Sequence, residues 1–286
     1  MHNARVLTPG GWVGAIAVRD GVMVEFFGSR VASELAARGW QADLMVANNV
    51  VAPVPDLNDF IEGFRILLAP DGVVTFEFHH LLNLIRHNQF DTIYHEHFSY
   101  LSLYSVMKIF QRAQLRVFDV DELQTHGGSL RVYGCHAEDS RPDSKAISSL
   151  LDMETSLGMK HIQLYQSFQS QADRVKNDFI QFLLDQKTNG KTIAGYGAAA
   201  KGSTLLNYAG IKPDLLPYVV DRHPAKQGKF LPGSRIPIAT EDRISLGATV
   251  ARGDQIGHPS CEGGRSTGSH IHIARKYNGE WIPAEG

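Results

Sequence analysis

Tyr94-His95-Glu96-His97-Phe98-Ser99-Tyr100 concentrates groups that move protons: two imidazoles flank a carboxylate, with a phenol at each end. Imidazole titrates near neutral pH, and a neighbouring carboxylate can orient the ring and raise its basicity. The cluster follows the apolar run Val73–Phe78, and a strand end of this kind is where open α/β sheets carry chemistry. A polar loop whose histidines cap a helix or meet water would have the same sequence, so both readings stay open on the pattern alone.

Other stretches offer ligand-binding groups. Asn48 and Asn49 fall near the end of the apolar strand pattern 43–51; side-chain amides there suit a polar ligand, or simply close a turn. In Gly195-Tyr196-Gly197-Ala198-Ala199-Ala200-Lys201-Gly202, Gly195, Gly197 and Lys201 would let backbone N–H groups and an ammonium meet an anion such as phosphate. Tight strand-to-helix packing calls for the same glycines. Asp221-Arg222 ends the strand pattern Leu216–Val220, where a carboxylate could accept from a ribose or sugar hydroxyl. His126, beside Gly127-Gly128, faces either a substrate or solvent. His270 and His272 are two apart on a strand pattern and so share a face. Zinc needs about three or four ligands, and His258 is the only other histidine nearby, so an unmetallated hairpin is the expectation there and zinc is not expected.

These groups need elements to hold them. The spacing predicts a helix over residues 29–40, with Val31, Leu35 and Ala36 on one side and Gly39 as its stop. A continuous apolar strand, Asp43–Val51, follows. Asp56 can cap a helix over Leu57–Leu68, and Pro70-Asp71-Gly72 turns the chain into Val73–Phe78. Strand, helix, strand in this order implies a right-handed parallel crossover. A helix over Ser102–Ala113 and an antiparallel strand pair at 116–120 and 130–133 would complete that sheet. Glu138–Lys145 is polar and reads as a linker. One long helix follows, with Tyr165, Phe168, Ala172, Val175, Phe179 and Phe182 forming an apolar stripe, stopped at Asn189-Gly190. A second α/β unit begins at Thr192. Residues 1–25 read as a hairpin turning at Arg19-Asp20-Gly21.

At 286 residues the chain suggests two domains, or one with appendages. A formal net charge of −2 gives no electrostatic reason for nucleic-acid or membrane binding. Cys135 and Cys261 are too few and too far apart for a zinc knuckle or a disulfide framework. No signal peptide and no membrane-spanning run is visible, so a cytoplasmic location is expected.

From about Phe26 to Ile238 the chain resembles the sugar C-methyltransferases that act on nucleotide-linked deoxysugars. The resemblance is carried by Ala47-Asn48-Asn49-Val50, by 54–60, by 89–100 with the Tyr-His-Glu-His cluster, by Thr125-His126-Gly127-Gly128-Ser129-Leu130-Arg131, by 195–202 and by Lys226-Gln227-Gly228-Lys229-Phe230-Leu231-Pro232-Gly233. It implies S-adenosylmethionine as methyl donor and methylation of a sugar carbon beside a keto group, in deoxysugar biosynthesis. It also implies His97 as general base, with Tyr94 and Glu96 placing the sugar and the base. The cofactor site is assigned to Asn48 and Asn49. The substrate site is assigned to His126, Gly195, Tyr196, Gly197, Lys201, Asp221 and Arg222. Against the family pattern the chain lacks an N-terminal zinc domain and the cofactor glycine loop, so the cofactor site is expected to be incomplete. Pro53 stands where the family usually has histidine, and His79 where it has proline.

From about Glu241 the tail resembles the end of a lysostaphin-type zinc metallopeptidase domain, through Gly253-Asp254-Gln255-Ile256-Gly257-His258-Pro259 and Ser266-Thr267-Gly268-Ser269-His270-Ile271-His272. Within that resemblance His272 would be a zinc ligand and His270 its catalytic partner, but the family's upstream ligand pair has no counterpart. The expected architecture is α/β: an N-terminal β segment (1–25), a truncated Rossmann-like methyltransferase core (26–140), a linker helix (141–190), a partial second Rossmann-like unit (191–240) and a short β-rich tail (241–286). A non-catalytic sugar-nucleotide-binding protein is the alternative, and a remnant metallopeptidase a further one. A parallel sheet without its first strands exposes edges that favour self-association.

Overall fold

The computed structural model describes residues 15–18, 21–244 and 272–274, of which 15–18, 21–24 and 272–274 are described as backbone strands. The chain forms two compact units, Met1–His87 with His95–Leu164, and Asn88–Tyr94 with Tyr165–Gly286.

The first unit opens with the expected hairpin, β1 (Ala15–Val18) antiparallel to β2 (Gly21–Val24). Helix α1 (Ser29–Ala37) buries Val31, Ala32 and Leu35, so Ala32 rather than Ala36 completes its core face. The chain leaves α1 through Gly39 at φ 77°. Strand β3 (Ala42–Asn48), helix α2 (Leu57–Leu67) and strand β4 (Leu68–His79) then form the parallel crossover. The Asp56 side chain caps α2, accepting from the Asp59 N–H at 3.0 Å. Pro70-Asp71-Gly72 does not turn the chain. It lies inside β4 as an irregularity between the pairs Ala42–Leu68 and Leu44–Val73. Gly72 is needed there, because a Cβ would come within 2.8 Å of the Ala42 carbonyl oxygen.

After α3 (Leu81–Arg86) and a short 3-10 turn at Phe90–Thr92 comes α4 (Leu103–Arg112), entered through a capping box between Ser102 and Ser105. Strands β5 (Leu115–Leu123) and β6 (Ser129–His136) form an antiparallel pair, and the sheet runs β3-β4-β6-β5. One face carries Ala47, Val74, Phe76, Phe78, Leu130 and Val132 into the core. Helices α2, α4 and α5 (Lys145–Ser156) cover it with Phe60, Ile61, Phe64, Val106, Phe110, Ile147 and Leu150. Burying such side chains is worth roughly 1.5–3 kcal/mol each, and the Phe64, Phe76 and Phe110 rings interlock at centroid separations of 4.7 and 5.4 Å.

Strand β3 departs from expectation. Among the described residues it is the sheet's edge, and Leu44 and Val46 are 57% and 40% exposed on the face opposite the core. An apolar run reads the same whether neighbours cover one of its faces or both. Here helices cover one.

The single long helix expected after residue 145 is two helices. Helix α5 ends at Ser156, Gly158 takes φ 81°, and α6 runs over Ile162–Thr188. The six-residue stripe is buried only in part. Ala172 is inside, Phe179 and Phe182 pack partly buried on the second unit's core, and Tyr165 and Val175 are exposed. That core gathers Leu183, Ile193, Leu206, Ile211, Leu216, Val219, Leu231 and Ile236. Around it lie β7 (Ala194–Tyr196), α7 (Ala200–Tyr208), β8 (Val219–Val220) and β9 (Ile238–Ala239), with all strand pairs parallel. Strand β10 (His272–Ala274) adds antiparallel to β7, His272 opposite Tyr196. Among the described residues no helix is long and apolar enough to cross a membrane.

Candidate functional site

The parallel register sets Asn48 beside Glu77, and the antiparallel one sets Glu77 beside Arg131 and Arg131 beside Asp121. One polar row therefore crosses all four strands on the face away from the core, at the carboxyl ends of β3 and β4. Glu77 is its centre and is only 5% exposed. Its carboxylate accepts from Arg131 at 2.7 Å, from the Thr125 hydroxyl at 3.1 Å and from the Asn49 amide at 3.4 Å. Burial alone would push this carboxyl up. The hydrogen bonds from Arg131 and Thr125 and the Arg131 charge outweigh it, so Glu77 titrates below the usual carboxylate range. Asn49 takes φ 57°, a conformation asparagine tolerates, and its N–H donates to the Glu77 carbonyl at 2.7 Å.

Thr125 opens the short turn Thr125–Gly127, which carries His126 exposed at φ 55°. The turn is tied back to β4, because the His80 N–H donates to the Gly128 carbonyl at 3.0 Å. Gly128 has φ 115°, and a Cβ would meet Asn83 at 2.4 Å. Glu77 is absent from the residues the sequence singled out. The signal was there: it is the only charge in Val73–Phe78, and a charge inside a buried strand needs partners.

The histidine cluster is divided between the units. Tyr94 belongs to the second and His95 onward to the first. The Phe98 and Ser99 N–H groups both donate to the Ala52 carbonyl, at 2.8 and 3.2 Å, which holds the His97 segment beside the loop that follows Asn48-Asn49. His97 is half-buried, with its ring edge-on to Tyr100 at 6.1 Å. His95 is exposed and pairs with Glu96 at 3.5 Å.

A second buried polar group supports this end of the sheet. His80 and Glu154 are 0% and 1% exposed and meet at 2.8 Å. The same carboxylate accepts the Leu103 and Tyr104 N–H groups at 2.6 and 3.0 Å, so α5 caps the start of α4. A cleft of about 920 Å³ lies at the opposite end of the sheet, lined by Arg65, Asp71, His136, Glu138, Asp139 and Arg141 among others; none of the predicted site residues reaches it.

The other substrate residues fall in the second unit. Gly197 has φ 94°, and α7 starts three residues later with no side-chain cap at Ala199; Lys201 is in its first turn. Asp221, expected to meet a sugar hydroxyl, is 8% exposed and already accepts from donors of its own unit. Its oxygens take the Ala198 N–H at 2.7 Å, the His223 N–H at 2.8 Å and Lys226 at 3.0 Å, so it shapes the glycine loop from behind. Burial pushes Asp221 up, but the two backbone donors and Lys226 pull it below the normal range. A depressed carboxyl stabilises the fold above its unfolded pKa of about 4, and that stabilisation is lost as pH falls through the folded value. Asp221→Asn should therefore flatten the fall of the second unit's urea midpoint between roughly pH 5 and 3; an unchanged slope would contradict the assignment. Burial, and then the Glu241 carboxylate, push the Tyr196 hydroxyl up to about 12, so it remains a donor to Glu241. Arg222 is exposed and lies 3.9 Å from Glu241.

His258 and His270 lie outside the described residues, and His272 is described only as a β10 backbone position. Among the described residues no group of three or more His, Cys, Asp or Glu side chains is placed to hold a metal.

An α/β domain with polar groups collected at the carboxyl ends of parallel strands is an arrangement used for binding small molecules and cofactors. Comparison with known proteins narrows the class. A methyltransferase-domain family matches residues 5–120, which takes in the β1–β2 hairpin, and a C-methyltransferase C-terminal-domain family matches residues 124–248. C-methyltransferase NovU of Streptomyces niveus is 39% identical over 219 residues, 77% of this chain and 52% of NovU. The chain belongs to the C-methyltransferase family, and it spans about half the length of that curated relative. Similar solved structures include the Haloferax volcanii Trm112 activator–methyltransferase complex, at 15% identity over 34% of this chain and 54% of that one, TM-score 0.29. Magnesium protoporphyrin IX methyltransferase from Synechocystis PCC 6803 matches at 13% identity over 36% and 48%, TM-score 0.28.

Proposed function

We propose that the chain transfers a methyl group from S-adenosylmethionine to a carbon of a nucleotide-linked keto-deoxysugar. The observation that carries this reading is the pair of Phe98 and Ser99 hydrogen bonds to Ala52. They set the base-bearing segment three residues from Asn49, at the strand ends where the polar row lies. His97 takes the proton from the sugar carbon next to the keto group, and the carbon keeps the electron pair as an enolate. Its carbon is then the nucleophile to which S-adenosylmethionine, when bound, would give up its methyl group. The chain supplies the base, the alignment and stabilisation of the enolate oxygen, with Tyr94 and Glu96 placing the sugar and the base.

The fit to S-adenosylmethionine rests on Asn48, whose exposed amide offers a donor and an acceptor, and on Asn49, whose amide oxygen is not used on Glu77. When bound, the cofactor supplies an electrophilic methyl group. In the first unit His126 is a contact for the nucleotide sugar. In the second, taken by itself, Gly195, Gly197, Lys201 and Arg222 are contacts for an anionic group such as phosphate, with Tyr196 and Asp221 shaping the loop they line. Calorimetry with S-adenosylmethionine tests the reading: saturable binding at or below millimolar concentration is expected. No heat from folded protein would leave the second reading, a protein that binds the nucleotide sugar alone. That reading draws on β3, which no strand pairs on its outer side among the described residues.

A further inference from the structure

Glu77 reaches both ligand sites of the first unit through its own hydrogen bonds. On one side it holds the Asn49 amide, and its carbonyl accepts the Asn49 N–H. On the other it holds the Thr125 hydroxyl, next to His126. Arg131 fixes the remaining carboxylate oxygen at 2.7 Å, which leaves the side chain little freedom to favour one neighbour without moving the other. Around a nearly buried carboxylate, a shift that lengthens one contact is not made good by water. Two segments distant in sequence, 48–49 and 125–128, thus share one acceptor.

We infer that Glu77 couples the two sites: a ligand at Asn48-Asn49 changes affinity for the nucleotide sugar at His126, and the reverse by the same factor. Glu77 is a positioning residue, since it touches the binding residues and not the ligands. The inference rests on the proposed function for the identity of the two ligands. A ligand that fixes the Asn49 amide narrows the range open to the shared carboxylate, and with it the range open to Thr125. The ligand that arrives second finds part of that ordering complete, which makes the coupling positive. Thermodynamic linkage requires it to be reciprocal, and couplings of this kind are typically 5–150-fold.

The test uses the full chain with S-adenosylhomocysteine and thymidine-diphosphate glucose as probes. The Kd of each is measured by calorimetry alone and with the other saturating. The wild-type protein should show each probe tightening the other by at least about 5-fold, with equal factors in both directions. In Glu77→Gln, which keeps the side chain's length but loses the charge that holds Arg131, both factors should fall to within about twofold of one. Thr125→Val cuts only the arm to the His126 turn and should give the same result, so it carries the test if the Glu77 variant does not fold. A purely structural role would weaken both probes and leave the factor intact, which would overturn the inference. A wild-type factor of one with both probes binding would overturn it while the proposed function stands. Failure of either probe to bind the folded wild-type protein would overturn the proposed function and this inference with it.

Discussion

On the proposed mechanism, His97→Ala is expected to lower methyl transfer by about 100- to 10,000-fold, the contribution of a positioned general base, which corresponds to about 3–5 kcal/mol of barrier. The size follows from the chemistry. A proton next to a carbonyl is not lost to water at a useful rate, and His97 is the half-buried imidazole of a segment fixed to Ala52 by two backbone hydrogen bonds. These bonds fix the backbone from which the ring projects. His95 is exposed and paired with Glu96, so His95→Ala should change the rate by less than about 10-fold. Single-turnover transfer of a labelled methyl group, with binding of each ligand measured separately, reads both. A His97→Ala protein that keeps more than a tenth of the wild-type rate would remove His97 from the mechanism.

Glu154→Ala destabilises the first unit by about 3–5 kcal/mol, as expected when one partner of a buried polar pair is deleted. The carboxylate is bound by His80 and by two N–H groups at the start of α4. Its removal leaves the buried Leu103 N–H and the buried His80 ring without it, along with the part-buried Tyr104 N–H. The His80 Nδ1 atom already has no hydrogen-bond partner and supplies no compensation. Domains of this size are stable by only about 5–15 kcal/mol, so much of the margin goes. Glu154→Gln keeps an acceptor for α4 and should cost about half as much. Urea unfolding followed by circular dichroism gives both values, and a loss under about 1 kcal/mol for the alanine variant would show that water takes the place of the carboxylate.

Much of the frame was legible because its causes are local. Asp56 and Ser102 announce helix starts by residue type, Gly39 announces a stop, and the order strand, helix, strand leaves only one common crossover hand. What escaped depended on partners far along the chain. His80 and Glu154 are 74 residues apart, and nothing in either neighbourhood names the other. The position of β3 at the edge follows from which strands lie beside it, not from Leu44-Met45-Val46-Ala47 itself. In the same way the stripe on α6 is a true pattern, but only Phe179 and Phe182 of it pack on the second unit's core, while Ala172 is buried apart from that core. Asp221 was correctly singled out as a strand-end carboxylate; the donors that occupy it come from Ala198, His223 and Lys226, and a strand pattern does not reveal them. The polar row shows the same limit. Asn48 and Asn49 stood out by type, whereas Glu77 gains its meaning from the register that sets it between Asn48 and Arg131.

The most direct measurement is exchange of the sugar proton next to the keto group into deuterated water, followed by NMR with a nucleotide-linked keto-deoxysugar and no methyl donor present. Wild-type protein should wash out that proton signal well above the buffer rate, and His97→Ala should not. Exchange no faster than in buffer with the sugar shown to be bound, or equally fast in the two proteins, would contradict the assignment of His97 as the base.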